Sequence, residues 1–253
     1  MAIKPILFNT PMSLAVRNDI KTETRRLINP QYRDDEYGFQ IITNAHTGEF
    51  VRVEIIDEWE NCTRFLPPQY QIGDILYVRE TWRIQSAHRF EADAKIEFRS
   101  GGPMSKIQFD GRCSDYHERH NYDDFISKWG VSGTWHPSIF MPKEAARTFV
   151  KVTDVWAERL QDITDEQCMR EGIQQWSKDG KLYKYAPADR EGDYPMWPWQ
   201  DTPIEPRGAF VKLWDSTVPK PKLPQCGFAA NPWVWVYRFE RCANPFTETE
   251  VEK

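Results

Sequence analysis

The 253-residue sequence lacks any long apolar run: no apolar stretch approaches the length of roughly 18 residues that a membrane-spanning helix needs. The N-terminus also lacks the apolar core of a secretion signal. Five cysteines, an odd number, stand far apart at positions 62, 113, 168, 226 and 242, which argues against a disulfide framework. These absences predict a cytoplasmic protein with reduced thiols and no membrane partner.

A surplus of positive charge is also missing, because the formal net charge is −5. Proteins that bind the nucleic-acid backbone without sequence preference are normally basic. The composition therefore disfavours a broad duplex-binding surface but allows a local basic pocket. Charged residues make up 28% and hydrophobic residues 40%, as in soluble globular proteins. The eleven tryptophans can stack on unpaired bases or simply fill a core.

A polar segment from Ile20 to Arg26 stands between two apolar segments near the N-terminus. It contains a lysine, two threonines, a glutamate and two arginines. The pattern before it predicts a strand at Pro5–Phe8 and a helix at Pro11–Asn18 with Thr10 as its cap. We interpret the segment as a polar connection from a helix into a strand. Such loops often carry function, although an ordinary solvated turn would have the same composition.

The same segment resembles the ASCH domain, a small β-barrel family related to PUA RNA-binding domains. Lys21, Thr24 and Arg26 match its Gly-x-Lys-x-x-(Glu/Thr)-x-Arg signature, with Asp19 at the glycine position. Three later stretches agree in order with the family's Gly-Asp strand, short acidic helix and last strand: Gln71–Glu80, Leu160–Ile173 and Pro232–Arg241. The resemblance covers about half the chain and is greatest to ASCH proteins of phages and prophages.

The resemblance implies an α+β fold, a PUA-like/ASCH β-barrel with flanking helices and large loop insertions. We expect a single domain over residues 1–245, with insertions at about 31–69, 83–136 and 174–204, and a flexible tail at 246–253. The strands that contain Leu7, Leu76, Val152 and Val236 should then share one mixed or antiparallel barrel-like sheet.

The resemblance also implies an enzymatic site. Several similar ASCH proteins are amidohydrolases that remove an acyl group from the exocyclic amine of 4-acetylcytidine, and their catalytic residues carry over onto Lys21, Thr24 and Glu171. A threonine hydroxyl is a weak nucleophile that needs a neighbouring base, and a lysine serves as base only when burial keeps it neutral. Lys21 and Thr24 face the same way only if the chain turns between them.

Further residues are candidates for substrate binding, with Arg26 also stabilising an oxyanion: Arg25, Arg26, Arg79, Glu80, Trp82 and Trp135. The expected ligand is a nucleoside or single-stranded RNA, and no cofactor is predicted. Three alternatives stay open: a non-catalytic RNA-binding module, a single-stranded RNA nuclease, and a phage protein that interacts with its host.

Three potential metal ligands lie close together in the sequence: Cys113, His117 and His120. Their spacing matches no established zinc site, and no further cysteine pair completes a tetrahedron. The sequence therefore predicts that these three residues bind no metal and are polar surface residues.

Overall fold

The computed structural model describes residues 1–29, 40–43, 50–56, 62–109, 120–131, 133–189 and 192–246. Numbered in chain order, the strands are β1 Ile3–Leu7, β2 Glu23–Leu27, β3 Gln40–Thr43, β4 Phe50–Ile56, β5 Cys62–Leu66, β6 Ile75–Arg79, β7 Trp82–His88, β8 Asp93–Phe98, β9 Ser105–Gln108, β10 Phe149–Arg159, β11 Gln174–Ser177, β12 Tyr183–Ala186 and β13 Trp233–Cys242.

The α-helices, numbered in the same way, are α1 Thr10–Arg17, α2 His120–Trp129, α3 Asp165–Arg170, α4 Pro206–Thr217 and α5 Leu223–Cys226. Short 3₁₀ turns cover Ser138–Phe140, Lys143–Ala145, Leu160–Asp162, Trp199–Asp201, Lys220–Lys222 and Phe228–Ala230. No helix among the described residues has both the length and the apolar character needed to cross a bilayer.

The central sheet has the strand order β1-β6-β10-β13-β2. The strands β1 and β6 are parallel, and the other neighbours are antiparallel. The strands that contain Leu7, Leu76, Val152 and Val236 therefore do share one mixed sheet, as the sequence predicted. The apolar run Ile75–Val78 is buried and lies inside this sheet, because a strand covered on both faces needs apolar residues at successive positions.

The predicted PUA-like/ASCH β-barrel is wrong. The described residues form an α+β structure with an open five-stranded sheet and three smaller sheets, β3-β4-β5, β7-β8-β9 and β11-β12, and none of these sheets closes on itself. The edges of the central sheet are β1 and β2, and only Phe8 and Asn9 separate β1 from α1. In a closed barrel the two edge strands would be joined by backbone hydrogen bonds. Here the Leu7 carbonyl accepts a hydrogen bond of 2.8 Å from the Arg26 guanidinium, so a side chain links the two edges.

The turn after α1 positions the start of the polar segment. The cap of α1 is Asn9 and not Thr10: its side chain accepts a hydrogen bond of 3.0 Å from the Met12 amide. Asp19 then adopts a left-handed conformation with φ 58°. The amides of Ile20 and Lys21 both donate to the Ala15 carbonyl, at 2.9 and 3.0 Å. This turn holds Lys21 against α1 before β2 begins, so the predicted polar connection is a turn followed by a buried strand.

The helix α3 begins and ends as its sequence predicts. Thr164 and Gln167 form a capping box at its start, and Glu171 is its C-terminal cap. Gly172 follows with φ 102°, and a Cβ atom there would lie 3.3 Å from the Ala15 side chain. Glycine therefore allows the end of α3 to pack closely against α1, which brings Glu171 next to the turn that holds Lys21.

The predicted insertions contain ordered structure where they are described. Part of 31–69 forms β3 to β5, much of 83–136 forms β7 to β9 with α2, and 174–204 contains the β11–β12 hairpin. Phe246 packs on Phe149 with ring centroids 5.9 Å apart, and the rest of the predicted tail lies outside the described residues.

The candidate metal ligands Cys113, His117 and the His120 side chain also lie outside the described residues. The other four cysteines, Cys62, Cys168, Cys226 and Cys242, are free.

Candidate functional site

A pocket of about 70 Å³ lies at the β2 edge of the central sheet, between the end of β1, the start of α1, the end of α3 and the helix α4. It brings together the three residues that the resemblance marks as catalytic, Lys21, Thr24 and Glu171. The remaining lining consists of two arginines, three aromatic residues and four others: Arg25, Arg26, Phe8, Phe210, Trp214, Asn9, Met12, Leu213 and Thr217.

Lys21 is only 3% exposed, and its amine is held by a single partner residue. The Nζ atom donates to the Glu171 carboxylate and also to the Glu171 backbone carbonyl, at 2.9 Å. Burial lowers the pKa of the Lys21 amine below its ordinary value, while the Glu171 carboxylate acts in the opposite direction. The pocket thus gives Lys21 the property that a basic catalyst needs, an amine that loses its proton more readily than in water.

Glu171 joins Lys21 to a chain of buried charges. Its second carboxylate oxygen accepts a hydrogen bond of 3.2 Å from the Arg25 guanidinium. Arg25 donates twice to Glu158, at 2.9 and 2.7 Å. Burial alone would raise the pKa of Glu171, but the charges of Lys21 and Arg25 outweigh it and hold the pKa below the ordinary 4.5. Glu171 is therefore a carboxylate near neutral pH, so it can orient the lysine but has no proton to donate.

This lowered pKa predicts how stability depends on pH. Since Glu171 binds its proton less tightly in the folded state, its contribution to the free energy of unfolding is fully present above pH 4.5 and is lost as the pH falls through the folded-state pKa. Urea unfolding of the wild type and Glu171→Gln should therefore show a constant difference above pH 4.5 that closes on further acidification. A difference that stays constant into that acid range would contradict the assignment.

Thr24 lies in β2 and is 1% exposed. Within the described part of the chain its hydroxyl forms no hydrogen bond, although it lines the pocket. Residues three apart on a straight strand point to opposite faces, but Lys21 lies before the strand, on the turn that begins at Asp19. That turn allows the lysine and the threonine to reach the same pocket, as the predicted chemistry requires.

Arg26 gives the pocket a fixed positive charge. Its guanidinium donates to the carbonyls of Leu7 and Arg25, at 2.8 and 3.4 Å, and its Cζ atom lies 5.3 Å from the centre of the Phe8 ring. These contacts hold the group in one orientation. Lys21 and Arg25 are paired with Glu171 and Glu158, whereas Arg26 has no ion pair among the described residues, so its charge favours a ligand that presents an anionic or electron-rich oxygen to the pocket.

Four predicted substrate-binding residues do not line this pocket. Trp82 is fully buried beside Phe125 and Trp129. The Glu80 carboxylate pairs with Arg147 at 2.9 Å. The two remaining residues also lie elsewhere: Arg79 donates to the Ile139 carbonyl, and Trp135 lines a different pocket.

The aromatic residues that do line the pocket were missed as site residues: Phe8, Phe210 and Trp214. Phe210 and Trp214 lie on the buried face of α4. Their spacing of four residues predicts an amphipathic helix, but the same pattern would arise if the whole face packed into a core. The sequence carries no signal that separates these two cases.

Comparison of the chain with known protein families, with curated proteins and with solved structures finds no match in any of the three. The chemistry of the pocket residues therefore carries the functional argument.

Proposed function

We propose that this protein is an ASCH-type amidohydrolase that binds a nucleoside and removes an acyl group from a modified cytidine. The observation that carries the proposal is the meeting of three groups in one pocket: a buried lysine with a lowered pKa, a threonine hydroxyl without a hydrogen bond, and a carboxylate that fixes the lysine. A group that can act as general base and a hydroxyl that can act as nucleophile are the two groups that acyl transfer needs, and both line this pocket.

In the proposed reaction Lys21 is the general base, Thr24 is the nucleophile and Arg26 stabilises the oxyanion. In the neutral state Lys21 accepts the Thr24 proton while the Thr24 oxygen attacks the acyl carbonyl carbon. The lysine then returns this proton to the exocyclic nitrogen as the carbon–nitrogen bond breaks, which leaves an acyl ester on Thr24. Water, deprotonated by Lys21, hydrolyses the ester to the free hydroxyl and a carboxylate. Arg26 supplies a fixed cation for the carbonyl oxygen as it gains negative charge.

The size of the pocket limits what enters it. A volume of about 70 Å³ is well below the several hundred Å³ of pockets that enclose a whole small-molecule ligand. It suits a small acyl group, with the cytidine ring at the mouth. The apolar surface of Phe8, Phe210 and Trp214 suits an acetyl methyl group or the face of a base.

The proposal is tested by incubating the purified protein with 4-acetylcytidine and measuring acetate and cytidine. We expect both products in equal amounts, and we expect Lys21→Met to reduce the rate by about 10²–10⁴-fold, the usual contribution of a general base. The matched control is Lys151→Met, since Lys151 is exposed on β10 and should leave the rate unchanged.

A different result would favour the binding module. Absence of acetate release, together with salt-sensitive binding of single-stranded RNA that Arg26→Ala weakens, would replace catalysis by phosphate recognition at the same pocket. Turnover that survives both Lys21→Met and Glu171→Gln would exclude the mechanism given above.

A further inference from the structure

A second pocket, of about 400 Å³, lies at the end of β8, where residues 97 to 102 line it together with Arg17 and Trp135. Arg83 and Glu97 are paired across β7 and β8, and Arg99 follows Glu97 by two residues, so all three project from the same face. The opposite face is apolar and buried, with Trp82, Ile84, Ile96 and Phe98 in a core. The polar face is therefore not required for that core.

Trp135 lies beside these charges and is only partly buried. Its ring centre is 4.6 Å from the Cζ atom of Arg83 and 6.0 Å from that of Arg99. The two arginines differ in their partners. Arg83 is neutralised by Glu97 at 2.7 Å, whereas the exposed Arg99 has no ion pair among the described residues. Arg99 is thus a cation available to a ligand next to an indole ring.

A glycine loop fixes a second cation at the same pocket. The Arg17 guanidinium donates to the carbonyls of Gly101 and Ser100, at 2.6 and 3.1 Å. Gly101 and Gly102 have φ values of 66° and 79°, and a Cβ atom on Gly102 would lie 2.9 Å from the Arg17 Cζ atom. The positive φ values favour glycine at both positions, and a Cβ atom on Gly102 would displace the Arg17 guanidinium. The loop holds Arg17 in place through carbonyl oxygens, and no carboxylate in the described residues pairs with its charge.

We propose that this pocket binds a nucleoside phosphate, with the base stacked on Trp135 and the phosphate between Arg17 and Arg99. Guanidinium groups suit phosphate oxygens, and the partly exposed indole suits the face of a base. An inorganic anion would use the arginines alone, and an apolar ligand would use the indole alone. The volume lies within the range of nucleotide-sized ligand sites.

This site is separate from the Lys21 pocket and does not depend on the amidohydrolase proposal. The start of α1, with Asn9 and Met12, lines the Lys21 pocket, while Arg17, the last residue of the helix, lines this one. An eight-residue helix is about 12 Å long. The two sites therefore lie at opposite ends of α1.

Isothermal titration with AMP, adenosine and inorganic phosphate tests the proposal on the full chain. We expect AMP to bind more tightly than adenosine or phosphate, and Arg99→Ala and Trp135→Ala each to weaken AMP binding about tenfold. Arg89→Ala is the matched control, because Arg89 is equally charged and exposed on the same hairpin but pairs with Asp123, and it should bind AMP like the wild type.

The same titrations decide the source of the nucleotide and the validity of the site. Tighter binding of a penta-adenylate RNA than of AMP, with the same sensitivity to Arg99→Ala, would assign the pocket to a nucleotide within a single strand; equal binding would assign it to a free nucleotide. Trp135→Phe should keep most of the affinity if the ring stacks on the base. No AMP binding at millimolar concentration, binding unchanged in Arg99→Ala and Trp135→Ala, or binding lost only in Thr24→Ala would overturn the proposal.

Discussion

Thr24→Ala is expected to reduce acetate release from 4-acetylcytidine by about 10⁴-fold or more, the scale of loss when a covalent nucleophile is removed. The Thr24 hydroxyl lines the pocket with Lys21 and has no hydrogen bond in the described structure that would occupy it. Thr217 also lines the pocket, but its hydroxyl already donates to the Trp214 carbonyl at 2.8 Å. Rate measurements at saturating substrate will show the loss as a fall in kcat.

Two further variants make this prediction specific. Thr22→Ala is the matched control, because Thr22 precedes β2 by one residue and does not line the pocket. Thr24→Ser should keep part of the activity, since it keeps a hydroxyl. Intact-mass measurement of the wild type during turnover should detect acetylated protein, and Thr24→Ala should show none. Loss of activity in Thr217→Ala, together with full activity in Thr24→Ala, would show that the nucleophile is Thr217 and would contradict the prediction.

Glu171→Leu is expected to lower the free energy of unfolding by about 3–5 kcal/mol, the usual cost of breaking a buried ion pair. The Glu171 carboxylate contacts both Lys21 and Arg25, whose side chains are 2% and 0% exposed. Leucine would leave the lysine amine facing an apolar group and would remove one of the three carboxylates that lie within 4 Å of the Arg25 guanidinium. Denaturant unfolding monitored by circular dichroism measures the difference.

A double variant separates the loss of charge pairing from a simple packing defect. In Lys21→Met with Glu171→Leu, both members of the pair become apolar, and Arg25 keeps its two hydrogen bonds to Glu158. The double variant should therefore be more stable than Glu171→Leu alone. Glu240→Leu, at an exposed position of β13, should change stability by less than about 0.5 kcal/mol. A single variant as stable as the wild type would contradict the pairing described here.

Short-range sequence signals predicted several elements of this fold. The capping box at Thr164 depends on residues three apart, and the buried strand around Leu76 depends on a continuous apolar run, so both can be found from local sequence. The closure of a sheet depends on whether its two edges meet. Here Arg26 and the Leu7 carbonyl, nineteen residues apart in sequence, link those edges by a side chain, which no local pattern encodes.

The site was predicted in part for the same reason. Lys21, Thr24 and Glu171 came from a motif resemblance, and the structure places them in one pocket. The sequence left open whether this polar connection is buried, because a polar segment next to a turn has the same composition whether it faces solvent or a buried carboxylate. Trp82 and Trp135 could not be assigned from sequence, since one fills a core and the other lines a separate pocket.

The order of strands in the central sheet also sets when the pocket can form during synthesis. The strand β2 carries Thr24, Arg25 and Arg26, and within the described sheet it is paired only with β13, which comes much later in the sequence. The ribosome therefore releases the residues of the pocket long before the strand that holds them. A nascent chain that has not reached Trp233 has no partner for β2, so the charges of the pocket stay in water until β13 has been made.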